Sequence, residues 1–274
     1  MPDTGTLQIT ALSEQNIPIT DATVDISYTG DPTGVLEEVH TNQNGQTELI
    51  SLAAPPLEYS LEPSTEVQPY AQYTIRISAP GFEPLTISGT EVFSGQLSLQ
   101  NVTLRATMPD EQPDTIVIPE HTLYGYYPPK IAEPEVIPVN NSGEIVLDQV
   151  IVPEYIVVHD GTPQDSSARD YYVQYKDYIK NVASSEIYST WPYQTLVANI
   201  LAIQSFTLNR VYTEWYRNKR YDFTITSSTA YDQKWVYGRN IFESIDEAVD
   251  DVFLHYLSRP NVRQPILPHY CDGS

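Results

Sequence analysis

A single cysteine, Cys271, occurs in the 274 residues. That excludes an internal disulfide framework and any zinc site built on several thiolates. Basic residues are scarce too: 14 Lys and Arg stand against 36 Asp and Glu, a formal net charge of -22. Such an excess of negative charge repels nucleic acid and anionic lipid, so partners that present backbone phosphate are not expected. No apolar run approaches the roughly 20 residues that cross a bilayer. The first residues lack the basic-then-apolar pattern of a secretory signal, and membrane insertion is not expected. What is present is 41% hydrophobic and 11% aromatic residues, a composition that supports a folded core rather than disorder.

The charge is unevenly placed. Residues 1–168 hold 24 acidic residues against three basic ones (Arg76, Arg105, Lys130), whereas residues 169–274 hold 12 against 11. Two chemically different parts are therefore expected. Residues 1–106 read as an all-β domain, with alternating runs at Thr6–Thr10, Ala22–Ser27 and Gln72–Ser78. Turn signals separate them at Gly30-Asp-Pro32, Asn42-Gln-Asn-Gly45 and Ala79-Pro-Gly81. The order runs from Pro18-Ile-Thr-Asp-Ala-Thr-Val24 through Thr41-Asn-Gln-Asn-Gly-Gln46 and Tyr73–Phe82 to a closing Leu97–Leu104. This order resembles the transthyretin-like or carboxypeptidase-regulatory β-sandwich family over about 100 residues, which implies an accessory scaffold without chemistry of its own. Its acidic surface would suit an envelope protein partner.

Residues 107–142 carry seven prolines, at 109, 113, 119, 128, 129, 134 and 138. Proline fixes φ and removes a donor, so an extended connector is expected, docked through Tyr124-Gly-Tyr-Tyr127. Residues 143–274 read as an α+β domain. Strand-like runs at Gly143–Leu147 and Val150–Val158 lead through a polar loop, Asp160–Asp170, into helix. Trp191 and Pro192 open a second helix, running to about Tyr216, that is apolar nearly all round and so belongs at the centre of its domain. Arg217-Asn-Lys-Arg220 supplies a cationic stop. A β-like run at Tyr221–Thr226 and a capping box at Ser244–Glu247, opening a helix from Ile245 to Leu257, complete the pattern.

One carboxylate is out of place in this pattern. Tyr175, Tyr178, Ile179, Val182 and Glu186 follow the spacing of one helix face, and the first four are apolar or aromatic. A carboxylate on a buried face is costly unless paired or protonated, and a raised pKa is what a general acid needs near neutral pH. From the residues alone, the competing readings are a salt bridge to Lys180 or a charge at the N-terminus of the next helix. Ser184 and Ser185 lack a nearby histidine or flanking elbow glycines for acyl chemistry. His269-Tyr-Cys271 offers only two metal ligands near the end of the chain. His159-Asp160 reads as a loop pair.

The string Tyr178-Ile-Lys-Asn-Val-Ala-Ser-Ser-Glu-Ile-Tyr-Ser-Thr-Trp-Pro192 resembles the family of stage II sporulation protein D, whose pattern is "Y-L-K-x-V-x-x-S-E-x-x-x-x-W-P". Leu196–Leu208 matches that family's buried Ala-rich helix, and Thr226–Gly238 its "D-T-T-x-x-Q-x-Y-x-G" loop. With the β-sandwich in front, the arrangement is similar to clostridial spore-cortex-lytic enzymes.

The resemblance implies a peptidoglycan lytic transglycosylase, located outside the cytoplasm at the cell wall or spore cortex. Glu186 would be its single general acid/base, and Gln233, Tyr231, Trp191 and Ser205 would face substrate. Glycan strands would be the partner, with no metal and no other cofactor, since Ser227–Gln233 lacks the Cys-His pair by which some members bind zinc. The chain departs from the pattern in having Gln204 where the family has Arg and Asn199 where it has Gln. The family's Gly-rich "S-Q-x-G" segment is not found before Ser274, so the catalytic domain is expected to be C-terminally incomplete. A non-catalytic glycan- or partner-binding envelope protein using the same cleft is the alternative.

Overall fold

The computed structural model describes residues 3–62, 64, 66–108, 114–123, 127–137 and 144–269. The fold is sheet-rich and divides into two compact units. The first comprises Met1–Gly125, Tyr188–Trp191 and Val236–Asp246, and the second Tyr126–Ile187, Pro192–Trp235 and Glu247–Ser274. In chain order the first long segment carries β1 (Asp3–Ser13), β2 (Thr23–Tyr28), β3 (Asp31–His40), β4 (Ile50–Ala54) and the short helix α1 (Glu58–Leu61). It continues with β5 (Tyr70–Ser78), β6 (Leu85–Phe93), β7 (Leu97–Leu104) and β8 (Asp114–Val117). Then come β9 (Tyr155–His159), β10 (Asp170–Gln174), α2 (Tyr175–Glu186), α3 (Tyr193–Tyr212), β11 (Ile225–Thr226), β12 (Ile241–Phe242) and α4 (Glu243–Val252).

The first unit holds a four-stranded sheet in the order β12-β7-β1-β4 and a five-stranded one in the order β3-β2-β5-β6-β8. Period-two alternation drives Leu7, Ile9 and Ala11 of β1 inward, where they meet Val24, Ile26, Ile75, Ile77 and Ile87 from the other sheet in one apolar core. The Thr41–Gly45 motif has a clear physical job. The Thr41 hydroxyl donates to the Ile19 carbonyl (2.6 Å) and accepts from the Ala22 N–H (2.9 Å), tying two turns together. Gly45 sits at φ +74°, and a Cβ there would come within 2.4 Å of the Ala11 carbonyl oxygen, so only glycine fits.

The region read as an extended connector is divided between the two units. β8 adds to the edge of β6 in parallel register, Leu85 opposite Asp114. Residues 127–137, by contrast, have no regular structure but are pinned within the second unit. The Ile131 N–H donates to the Ala230 carbonyl (2.9 Å), and the Ile137 N–H to the Gln264 side chain (3.1 Å). Proline blocks regular structure there, while the residues between the prolines still supply donors and charges. Tyr124–Tyr126 of the aromatic patch, Gly143 and Cys271 lie outside the described residues.

In the second unit, β10, β9 and β11 form a three-stranded sheet, and α2 packs on α3. Glu144–Leu147 is not a strand; the polar loop expected at 160–170 is irregular up to Arg169, and strand β10 intervenes between it and α2. The second helix stops at Tyr212, about a turn short of Tyr216. Thr213 donates back to the Asn209 carbonyl (2.8 Å), and Glu214, at φ +47°, turns left-handed and ends the helix. The β-like run at 221–226 reduces to Ile225–Thr226. The capping box at Ser244 does not form: α4 begins at Glu243, and the Ser244 hydroxyl is bonded to Gln96 and the Ser189 carbonyl, both at 2.9 Å.

Candidate acid-base site

The spacing that singled out Glu186 is a helix face in the structure. α2 begins at Tyr175, and Tyr175, Tyr178, Ile179 and Val182 are all fully buried. Glu186 is the last residue of that helix, before Ile187 turns extended (φ -135°, ψ 155°). Its Oε1 accepts the Lys234 backbone N–H at 2.7 Å, and its Oε2 is buried without a hydrogen-bond partner. Burial pushes the pKa up to about 7, the Lys234 N–H and the charges of Lys130 and Lys234 offsetting only part of the desolvation. Of the competing readings, the salt bridge to Lys180 is not what that lysine does: it pairs with Asp250 at 3.0 Å. Asp177 is exposed.

Glu186 meets Lys234 because the preceding loop is nailed down. The buried Asp232 carboxylate accepts from Thr226 N–H (2.8 Å), Thr226 Oγ1 (2.6 Å), Tyr216 Oη (2.5 Å) and Arg210 Nε (2.6 Å). Arg210 is buried as well, and its two terminal nitrogens grip Glu133 in a bidentate pair at 2.6 and 2.7 Å. Gln233 is equally committed. Its Oε1 accepts from Tyr178 (3.1 Å) and Thr207 (2.8 Å), and its Nε2 donates to the Ile203 carbonyl (3.0 Å). Its side chain therefore fixes the loop that holds the acid. Neither Arg210 nor Glu133 was singled out from the sequence. A charged residue in a helix apolar nearly all round was the available signal, since such a charge must be paired.

A small pocket of about 80 Å³ opens beside Glu186, lined by Lys130, Ile203, Phe206, Gln233 and His269 among others. Of the four residues expected to face substrate, only Gln233 lines it. The Ser205 hydroxyl instead donates to the Leu201 carbonyl (2.5 Å) and accepts the Leu257 N–H (2.7 Å). Tyr231 reaches Gln164 (3.3 Å), and its carbonyl accepts from Arg210. Trp191 belongs to the first unit, where its indole N–H donates to the Ser60 carbonyl at 3.0 Å. Gln204, at the family's Arg position, donates to the carbonyls of Val252 (3.3 Å), Phe253 (2.7 Å) and His255 at the end of α4. His159 pairs with Asp170 across the β9–β10 ladder (2.7 Å), not with Asp160.

The first unit has a buried carboxylate of its own, Glu91. Glu91 Oε1 is 2.5 Å from the Arg239 guanidinium, and its Oε2 is 3.2 Å from His121 Nδ1. All three side chains are fully buried. Burial raises the Glu91 pKa, but the Arg239 and His121 charges outweigh it and leave the group below its ordinary value. Asn240 closes the cluster, exchanging hydrogen bonds with the Glu91 backbone, both at 3.1 Å. Among the described residues, no group of three or more His, Cys, Asp or Glu is placed to hold a metal ion, and no helix is long and apolar enough to cross a membrane.

No family model matches the chain, and no curated protein matches it. Solved structures match part of it: the Bacillus anthracis TIE protein (14% identity, TM-score 0.27, 38% of this chain and 17% of that one). Two others are 3-chlorocatechol 1,2-dioxygenase from Rhodococcus opacus 1CP (14%, 0.27, 39% and 61%) and hydroxyquinol 1,2-dioxygenase from Pseudomonas putida DLL-E4 (12%, 0.28, 39% and 58%). The chain thus spans under two thirds of each, at a similarity too low to carry a functional argument.

Proposed function

We propose that the chain is a peptidoglycan lytic transglycosylase: an accessory β-sandwich followed by an α+β catalytic domain with Glu186 as its single acid/base. The observation that carries this reading is the setting of Glu186, a carboxyl beside a pocket with one oxygen held by a backbone N–H and the other buried and unpartnered, where burial pushes its pKa up to about 7. A group with that midpoint can give a proton and take one back at neutral pH. Glu186 would first protonate the glycosidic oxygen leaving C1 of N-acetylmuramic acid. As carboxylate it would then accept the proton of that sugar's 6-hydroxyl as the hydroxyl oxygen closes on C1, giving a 1,6-anhydro end. Because the nucleophile is internal to the sugar, no second carboxylate at hydrolase spacing is needed. Residues with spare hydrogen-bonding capacity would bind the glycan, while Gln233 and Ser205 would keep the loop and α3 in place. The setting would be outside the cytoplasm, at the cell wall or spore cortex.

One observation favours the alternative, a non-catalytic glycan- or partner-binding envelope protein. The pocket beside Glu186, about 80 Å³, is well below the roughly 300 Å³ at which ligand sites usually begin. Incubation with purified peptidoglycan, with products resolved by mass spectrometry, separates the readings. Anhydro-muropeptides that fall about 10²–10⁴-fold in Glu186→Gln support the transglycosylase. Reducing ends instead would mean a muramidase, and no product from either protein would leave the binding reading.

A further inference from the structure

The pocket beside Glu186 has a cation delivered from a distant part of the chain. Lys130 follows Pro128 and Pro129 in the proline-rich stretch, yet it lines the pocket with Glu186. Its Nζ donates to the Asp232 carbonyl and lies 5.2 Å from the centre of the Phe206 ring. The bond from Ile131 to Ala230 and the Glu133–Arg210 pair hold the segment that directly follows that contact. Other charged groups near the carboxyl are otherwise engaged. Asp232 is saturated by four donors, and the Arg210 guanidinium is taken up by Glu133 and Asp232. His269 is held towards its neutral form by burial. Tyr127 and Tyr178 are held protonated by burial, and Lys234 adds a weaker charge from the loop.

We propose that Lys130 is the positioning residue that sets the protonation of Glu186, so that the buried carboxyl can ionise and serve as base in the second half of the reaction. The inference rests on the acid/base reading for its catalytic meaning, but the electrostatic coupling is independent of it. Among the charges acting on Glu186, that of Lys130 is the largest opposing its desolvation. At low effective dielectric such a charge acts beyond ion-pair contact. Without it, Glu186 would hold its proton more tightly and give it up less readily to the leaving oxygen.

The test is a carbon-13 carboxyl titration of Glu186, assigned with Glu186→Gln, in the wild type, Lys130→Met and Lys130→Arg. Expected are a wild-type midpoint near 7, an upward shift of roughly half a pH unit or more in Lys130→Met, and recovery in Lys130→Arg. Lys130→Gln, which keeps a donor for the Asp232 carbonyl, replaces Lys130→Met should that variant not fold. An unchanged midpoint in a folded neutral variant, or no recovery with arginine, overturns the proposal. Because the reaction begins with Glu186 protonated, anhydro-product rates measured across pH on the same proteins should move their falling limb with the midpoint. If the midpoint shifts while the wild type yields no product, the coupling stands and the transglycosylase reading falls.

Discussion

Glu91 in the first unit and Glu186 in the second are both carboxyls withdrawn from water, and their surroundings drive them in opposite directions. Glu91 lies in the first unit between Arg239 and His121, and its pKa falls; Glu186 ends a helix of the second unit against one backbone N–H, and its pKa rises to about 7. Desolvation acts on both. What differs is whether contacting charges compensate it. A paired carboxylate is a strut, while an uncompensated one is a proton store. Burial alone therefore does not set the direction of a carboxyl's pKa; burial without a contacting charge raises it.

The largest effect should come from breaking the strut. Glu91→Ala leaves Arg239 buried without its partner and should cost about 3–5 kcal/mol in denaturant unfolding. Glu91→Met combined with Arg239→Met should recover much of that, since an apolar pair of similar volume carries no stranded charge. A comparable loss is expected for Arg210→Met in the second unit, which strands Glu133 and Asp232; loosening of the 226–234 loop should also draw the Glu186 midpoint away from 7.

The opposite sign is expected at Glu186. Its folded pKa lies above the ordinary 4.5, so its favourable contribution is complete below about pH 4.5 and is lost as pH rises through 7. Glu186→Gln should therefore stabilise the second unit by up to about 3 kcal/mol at pH 8 and by almost nothing at pH 4. For Glu91 the sign reverses. Its depressed pKa contributes stability above about 4.5 that disappears as pH falls through the lower folded value, so Glu91→Gln should flatten the acid limb of stability. Smaller again is Gln204→Ala, which removes the amide donor to the carbonyls ending α4 and should cost about 1–3 kcal/mol by thermal unfolding.

The local part of this arrangement was legible in the sequence. Tyr175, Tyr178, Ile179 and Val182 announced the buried face of α2, and Glu186 followed on it, because helical periodicity is a short-range property. The strands at β1, β2, β5 and β7 were visible for the same reason. The long-range pairings were not. Asn240 meets Glu91 across 149 residues and Arg210 meets Glu133 across 77, and no local spacing encodes either contact. The short strand β12, which joins the first unit from far down the chain, was hidden by its two-residue length and by the capping-box pattern just after it. Tyr231, Trp191 and Ser205 were chosen for residue type within matched segments, and type does not show which hydrogen bonds the fold has already claimed.

The most direct measurement is a side-by-side carboxyl titration of Glu186 and Glu91 in the intact wild-type protein, each assigned with its own glutamine variant. The account predicts a midpoint near 7 for Glu186 and one below 4.5 for Glu91. Glu186 titrating near 4.5 with the exposed carboxylates would contradict it.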